Sequence, residues 1–291
     1  LVFGEADQLP GIVVDLYDHV AVVVTYSKAL GSLLDALAHA VADVTGATSV
    51  VRRSKDDDGV VQLQVLRGAR PAETVVVAEG EMRLWAELYS GQKTGLFFDH
   101  RDNREFVRTR AAGARVLNLF SYTGGFSVAA ALGGARAVTS VDIAAPAVAA
   151  SRENFVLNDL ADFPHRAVSE DVFTFLERAE KNGERFDLVV CDPPSFAKSR
   201  DQLRAAERAY TKLLASALRV TEPGGLFCAA SCTSQVGPAL FRKLLADASR
   251  KARVRFQITR DIGQPDDHPV AIGHEEGRYL KFVAGRVLNR C

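Results

Sequence analysis

A chain of 291 residues, 47% hydrophobic and 25% charged, has ordinary globular composition and is long enough for one large or two ordinary domains. Its 36 Lys+Arg balance its 36 Asp+Glu, which argues against a strongly basic nucleic-acid binder and excludes disordered, collagenous and coiled-coil classes. No stretch approaches the roughly 18 consecutive apolar residues of a membrane span, and the start carries no signal-peptide pattern, so a soluble cytoplasmic protein is expected.

The first 88 residues read as a small α+β domain. Ile12 to Leu16 and Val20 to Thr25 are short apolar strands around Tyr17-Asp18-His19, which suits a hairpin turn. Ser27 can cap a helix in which Leu30, Leu33, Leu34, Leu37, Val41 and Val44 recur at helical spacing. Thr48 to Arg52, Val60 to Leu66, Thr74 to Ala78 and Met82 to Leu88 follow as strands, with Asp56-Asp57-Asp58-Gly59 and Glu79-Gly80 as turns.

From residue 89 onward the pattern changes to alternating strands and helices, the mark of a doubly wound α/β sheet. Seven strands are predicted: Arg115–Phe120, Ala135–Val141, Arg166–Ser169, Phe186–Cys191, Gly225–Ala230, Val254–Arg260 and Tyr279–Ala284. Helices are expected at Gly125–Leu132, Pro146–Leu157, Val172–Lys181, Leu203–Val220 and Pro238–Arg250, with the prolines in first turns, where a missing N–H costs nothing. Tyr210, Leu213, Leu214 and Ala217 make a core stripe. Within 91–106, Asp99, Arg101, Asp102, Arg104 and Glu105 can pair on a charged helix, but Gly91 and Gly95 around Lys93-Thr94 weigh against one.

In open α/β sheets ligands bind beyond the C-terminal strand ends. After the first strand comes Phe120-Ser121-Tyr122-Thr123-Gly124-Gly125-Phe126, where two glycines let the backbone approach a ligand and offer it N–H groups. The second strand ends at Asp142, whose carboxylate can accept both ribose hydroxyls; Asp171, after the third, reads as a helix cap. A dinucleotide and S-adenosylmethionine both suit these positions. The loop lacks the G-x-G-x-x-G spacing that seats a pyrophosphate, which favours S-adenosylmethionine. The fourth strand ends in Asp192-Pro193-Pro194-Ser195-Phe196, the most specific local signal: two prolines fix a rigid turn with free carbonyls, and Phe196 can stack on a flat base.

Residues 91–106, Leu119 to Ser127, Ser140-Val141-Asp142, Asp192 to Lys198 and Ser231-Cys232-Thr233 together resemble the bacterial large-subunit ribosomal RNA cytosine-C5 methyltransferases. The resemblance spans nearly the whole second domain, 89–291, and implies a seven-stranded Rossmann-like class I methyltransferase fold. Val2 to Gly11 resembles the start of that family's central domain, which normally follows an RNA-binding PUA domain. The PUA domain is absent here, in keeping with an only methionine at Met82, so a missing upstream segment is expected.

For individual residues the resemblance implies a cofactor site of Phe98, Asp99, Arg101, Phe120, Tyr122, Thr123, Gly124, Asp142, Ile143, Asp171, Val172 and Asp192. Lys93 to Arg104 would lie against the methionine part, Asp142 on the ribose and Asp171 on the adenine amine. Pro193, Pro194, Phe196 and Lys198 would meet the substrate. Large-subunit ribosomal RNA is the implied partner, a homodimer is left open, and neither metal nor membrane is called for.

Methylating cytosine C5 needs covalent activation by a thiolate at C6. Four cysteines are present, Cys191, Cys228, Cys232 and Cys291, with no C-x-x-C spacing. Cys232 sits just past the fifth strand, where substrate would arrive; Cys228 falls inside that strand, Cys191 points to the other face by alternation, and Cys291 is terminal. Ser195 stands where many relatives of this class carry a second cysteine, so the proton-removing base is open: Asp192 is the first choice and His268 the second. N-methylation of a guanine or exocyclic amine, which needs no cysteine, and a non-catalytic RNA-binding module remain as rival readings. RNA contact would fall to basic runs at Lys198 to Lys212 and Arg242 to Arg260, with Arg101, Arg104, Arg108, Arg110 and Arg115.

Overall fold

The computed structural model describes residues 1–55, 59–197, 199–274 and 277–290. The predicted Asp56-Asp57-Asp58 turn, Lys198 and Cys291 therefore lie outside the described residues. The chain forms two compact units, Leu1–Arg101 with Pro265–Gly277, and Asp102–Gln264 with Arg278–Cys291.

In the first unit, β1 (Val2–Phe3), β2 (Ile12–Tyr17), β3 (Val20–Thr25), β4 (Ser49–Lys55) and β5 (Val61–Gly68) form one sheet in that order. Asp18 takes the left-handed φ of 53° in the β2–β3 turn. Helix α1 (Leu34–Thr45) crosses from β3 to β4, which accordingly pair in parallel. Its buried face is Leu34, Ala38, Val41 and Ala42, and Gly46 ends it at φ 72°. Two expected core positions are wrong: Leu33 is 50% and Val44 84% exposed. Residues 28–33 form a 3-10 turn capped by Ser27, and its tighter winding rotates Leu33 off the apolar stripe. Strands β6 (Thr74–Glu79) and β7 (Met82–Glu87) make a separate hairpin.

Helix α2 (Arg101–Arg108) corrects the reading that weighed against a helix here. Gly91 and Gly95 belong to the loop before it, so they do not interrupt it, and Arg108 pairs with Glu105 as a helical i,i+3 pair should. The second unit's sheet comprises β8 (Arg115–Leu119), β9 (Ala137–Asp142), β10 (His165–Ser169), β11 (Phe186–Cys191), β12 (Thr221–Ser231), β13 (Val254–Ile262) and β14 (Lys281–Arg290). Their order is β10-β9-β8-β11-β12-β14-β13, parallel except that β14 runs against both neighbours. Helices α3 (Gly125–Leu132), α4 (Ala145–Leu157), α5 (Val172–Lys181), α6 (Leu203–Val220) and α7 (Pro238–Ala252) follow the predicted spans closely, with Pro146 and Pro238 in first turns. Tyr210, Leu213, Leu214 and Ala217 are wholly buried, as their stripe requires. Among the described residues no helix is long and apolar enough to cross a membrane.

A buried polar chain ties the first three strands together. Asn118 of β8 donates to Ser127 of α3 at 2.9 Å, Ser127 meets Ser140 of β9 at 2.7 Å, and Ser140 meets His165 Nε2 of β10 at 2.8 Å. Phe155 stacks on His165 at 3.7 Å. Burial, with Arg152 adding repulsion, pulls the His165 imidazole down to about 4. A base held neutral in the fold stabilises it fully above the unfolded value near 6.5 and loses that contribution as pH falls toward 4. Urea unfolding between pH 7 and 4.5 should therefore show a decline of up to about 3 kcal/mol, reduced by solvent screening. His165→Gln, which cannot titrate, should flatten that part of the profile.

Candidate active site

The chain leaves the central strands of the second unit along one edge. Leu119 pairs with Val141 on one side and with Cys191 on the other, and Cys191 pairs with Ala229. Phe120, Asp142 and Asp192 therefore emerge at one level, and Cys232 follows the end of β12, beside β11. Neighbouring strands lie about 4.8 Å apart, so the Asp192 turn is one strand from the Cys232 loop and one from the Phe120 loop.

The loop from β8 to α3 is strained. Phe120 (φ 59°), Tyr122 (φ 47°) and Gly124 (φ 83°) are left-handed, a conformation that costs a non-glycine residue of order 1 kcal/mol or more. Its surroundings hold it there: Ser121 N–H donates to the Val141 carbonyl at 3.0 Å, Tyr122 N–H to Asp142 Oδ2 at 2.8 Å, and Asn154 of α4 to the Thr123 carbonyl at 2.8 Å. A Cβ on Gly124 would come within 2.8 Å of Ser151 Cβ, so a close approach to α4 demands glycine as much as φ does. Ser121 Oγ is buried with no hydrogen-bond partner among the described residues.

Asp142 supports this loop with Oδ2 only; its Oδ1 accepts the Ala144 N–H at the start of α4 at 2.9 Å. An ionised carboxylate has about four acceptor positions, so this role leaves room for hydroxyl donors. Ile143, directly after it, is a large apolar side chain 72% exposed. Asp171 caps α5 as its spacing suggests, accepting the Thr174 N–H at 3.0 Å and the Thr174 hydroxyl at 3.2 Å, while Val172 is buried.

In the turn after β11, Pro193 is buried, Pro194 and Ser195 are exposed, and the Ser195 hydroxyl donates to the Ala197 carbonyl at 3.0 Å. Phe196, read as a stacking platform, is partly buried and lies tilted against Tyr210 at 4.8 Å, so part of its ring is already committed to the protein. Cys191 and Cys228 are fully buried, and burial pushes both thiols above their ordinary range. Cys232 is partly exposed and carries no disulfide. Burial pushes the Tyr210 phenol up to about 12, hydrogen bonds with Ser231 and Thr233 oppose this, and negative charge at Cys232 and at Asp192 adds to it.

Phe98, Asp99 and Arg101 belong to the first unit. There Tyr17 is buried, its hydroxyl 2.5 Å from Thr94 Oγ1, and it organises the glycine-bracketed loop: Thr94 donates to Asp15 at 2.6 Å and Leu96 N–H to Tyr17 at 3.3 Å. Phe98 leans on Tyr17, and buried Asp99 takes the Lys93 ammonium at 2.5 Å. Arg101 pairs with Asp267 at 2.6 Å, and Asp267 also meets His268 Nδ1 at 2.9 Å. His268 lies against Phe3 within this unit, so its side chain is engaged by structural neighbours. The basic candidates for RNA are partly neutralised: Arg242 pairs with Asp261, Arg250 with Asp247 and Arg108 with Glu105, and Arg104 is buried.

A first strand at the centre of the sheet, a strained glycine turn over its tip and an acid at its neighbour's tip define a nucleoside-binding α/β domain. The chain belongs to the S-adenosylmethionine-dependent methyltransferase family, whose model matches residues 6–274. Among its relatives, ribosomal RNA large subunit methyltransferase I of Erwinia tasmaniensis is 37% identical over 294 residues, covering 99% of this chain and 74% of that one. The protein of the same name from Serratia proteamaculans is 36% identical with the same coverage. Among solved structures, a putative S-adenosylmethionine-dependent methyltransferase from Streptococcus mutans matches with a TM-score of 0.85 and 29% identity, over 98% of this chain and 73% of its own. SMU.776, a putative methyltransferase complexed with SAH, matches equally well in TM-score, 0.85, with 28% identity over 98% of this chain and 74% of its own.

The residues of the second unit fit the family's cofactor. Ser121 Oγ offers a buried hydroxyl that the described residues leave unbonded, Asp142 has acceptor capacity to spare, and exposed Ile143 offers an apolar surface to a base. Three residues at this edge escaped the sequence reading: Ser121, Tyr210 as more than core, and Lys281. Lys281 left one signal, a lysine opening the apolar run Phe282-Val283-Ala284.

Proposed function

We propose that this protein methylates C5 of a cytosine in large-subunit ribosomal RNA, in the cytoplasm, through a covalent adduct between Cys232 and cytosine C6. What carries this reading is that Cys232 is partly exposed just past β12, while Tyr210 bonds the residues on either side of it and lies against Phe196 of the Asp192 turn. The names of the relatives support the RNA class.

When bound, the cofactor supplies an electrophilic sulfonium methyl. The Phe120–Gly125 loop, Asp142 and Ile143 orient its nucleoside from the sheet edge. The Cys232 thiolate adds to C6, forming a C–S bond and moving the C5–C6 π pair onto C5, while a proton reaches N3. C5 is now nucleophilic enough to take the methyl group. Removal of the C5 proton restores the C5–C6 double bond and expels the thiolate while N3 gives back the proton it took, so the net release is one proton. Asp192, on the adjacent strand tip, is positioned for either proton transfer. Pro194 and the free part of Phe196, on the turn that buried Pro193 anchors, shape the wall against which the base would lie.

Incubating the protein with ribosomal RNA and methyl-labelled S-adenosylmethionine, then digesting to nucleosides, should place the label in 5-methylcytidine. Label in a methylated guanine would replace this reading with amine methylation by the Asp192-Pro193-Pro194-Phe196 turn.

A further inference from the structure

Lys281 opens β14 opposite Ser231 of β12, and its side chain is 3% exposed. Alternation along β14 puts it on the same face as Val283 and Val287, both in the apolar cluster with Tyr210 and Phe241. A lysine ammonium in such a place needs partners. Two are backbone carbonyls: Nζ donates to Thr233 at 2.8 Å and to Tyr279 at 2.7 Å. On the other flank, Tyr210 of α6 bonds Ser231 Oγ at 3.0 Å and Thr233 Oγ1 at 2.7 Å, and the Thr233 N–H donates to Ser231 Oγ at 3.3 Å. Residues 231 and 233 are thus wholly buried and held from two sides, and Cys232 is the partly exposed residue between them.

We propose that Lys281 is a positioning residue for Cys232: it fixes the 231–233 turn through the Thr233 carbonyl, and its charge holds the Cys232 sulfur as thiolate. The role in catalysis rests on reading Cys232 as the nucleophile; the pairing of the two charges does not.

Electrostatics agree with the geometry. Burial pulls the Lys281 ammonium down to about 8, and the charge of Cys232 pulls it partly back up. Such coupling is mutual, so a protonated Lys281 favours the thiolate to the same degree. Among the described residues, Tyr210 from α6 and, through it, Asp192 after β11 also face this corner; both are acids. On β13, Asp261 is paired with Arg242. Lys281 is thus a cation coupled to Cys232.

The pairing can be read without RNA or cofactor, from the pH dependence of Cys232 alkylation by iodoacetamide, followed by mass mapping of its peptide. In the unmodified protein the midpoint should fall below the ordinary thiol value of about 8.5. Lys281→Gln, which keeps a donor for one carbonyl but no charge, should raise that midpoint by about one unit or more and slow alkylation at neutral pH about tenfold. Lys281→Arg should restore most of the shift. A midpoint at or above about 8.5 in the unmodified protein overturns the proposal, even if Lys281→Gln proves unable to fold. So does an unchanged midpoint in a folded Lys281→Gln protein. A depressed, lysine-dependent midpoint in a protein that forms no 5-methylcytidine would uphold the charge pair and reject the RNA reaction instead.

Discussion

Cys232→Ala is expected to reduce cytosine-C5 methylation by about 10⁴-fold or more while leaving cofactor affinity within about twofold. Without the sulfur, C5 is never activated, and the other described cysteines cannot substitute: Cys191 and Cys228 are sealed in the core with their thiols pushed up by burial. The variant should keep nearly its full stability, because the side chain is partly exposed and the turn is anchored through Ser231 and Thr233 rather than through residue 232. Single-turnover rates with saturating cofactor, alongside a binding titration, separate lost chemistry from lost binding. Activity within about tenfold of the parent would mean an amine is methylated and the cysteine only fills a turn.

The second large effect lies in the cofactor site. Asp142→Ala removes the acceptor of two backbone N–H groups, those of Tyr122 and Ala144, and with it the bond that restrains Tyr122 in a left-handed backbone. Charge-assisted bonds of this kind contribute about 1.5–3 kcal/mol each. Losing the loop geometry together with the ribose acceptor should weaken S-adenosylmethionine binding by about 100-fold or more, measured by calorimetry, and lower the unfolding temperature. Asp142→Asn, which retains one acceptor oxygen, should fall between. An alanine variant that binds the cofactor with parental affinity would remove Asp142 from the site.

Much of this architecture was legible because it rests on local chemistry. Apolar runs ending in Asp142 and Asp192 marked strands whose tips face one edge, and prolines 146 and 238 fixed two helix starts within a residue. Ser27 was correctly placed as a cap, but the 3-10 turn it starts carries Leu33 off the stripe, and Val44 falls outside the face that Leu34, Ala38, Val41 and Ala42 bury in α1. Helix α2 was discounted because two glycines sat nearby in sequence; their function is to fold the preceding loop, where a Cβ on Gly91 would meet the Glu87 carbonyl at 2.4 Å. The fold also draws residues 265–277 into the first unit, a long-range association with no local pattern to announce it. Within the site, the residues that end strands could be read from sequence. Those that support them from other elements, Asn154 and Tyr210, could not, because each looks like an ordinary member of its own helix and acquires its role through tertiary contact; Lys281 left only the oddity of a lysine opening an apolar run.

The most direct measurement of the central claim is capture of the cysteine itself. Ribosomal RNA containing 5-fluorocytidine should react as far as the methylated adduct and stop, because fluorine at C5 cannot be removed as a proton is. Mass spectrometry should then find one methylated fluorocytidine attached to the peptide bearing Cys232, and none when that residue is alanine. Full methylation of the parent RNA with no adduct at Cys232 on the fluorinated one, or an adduct on another residue, would contradict the account.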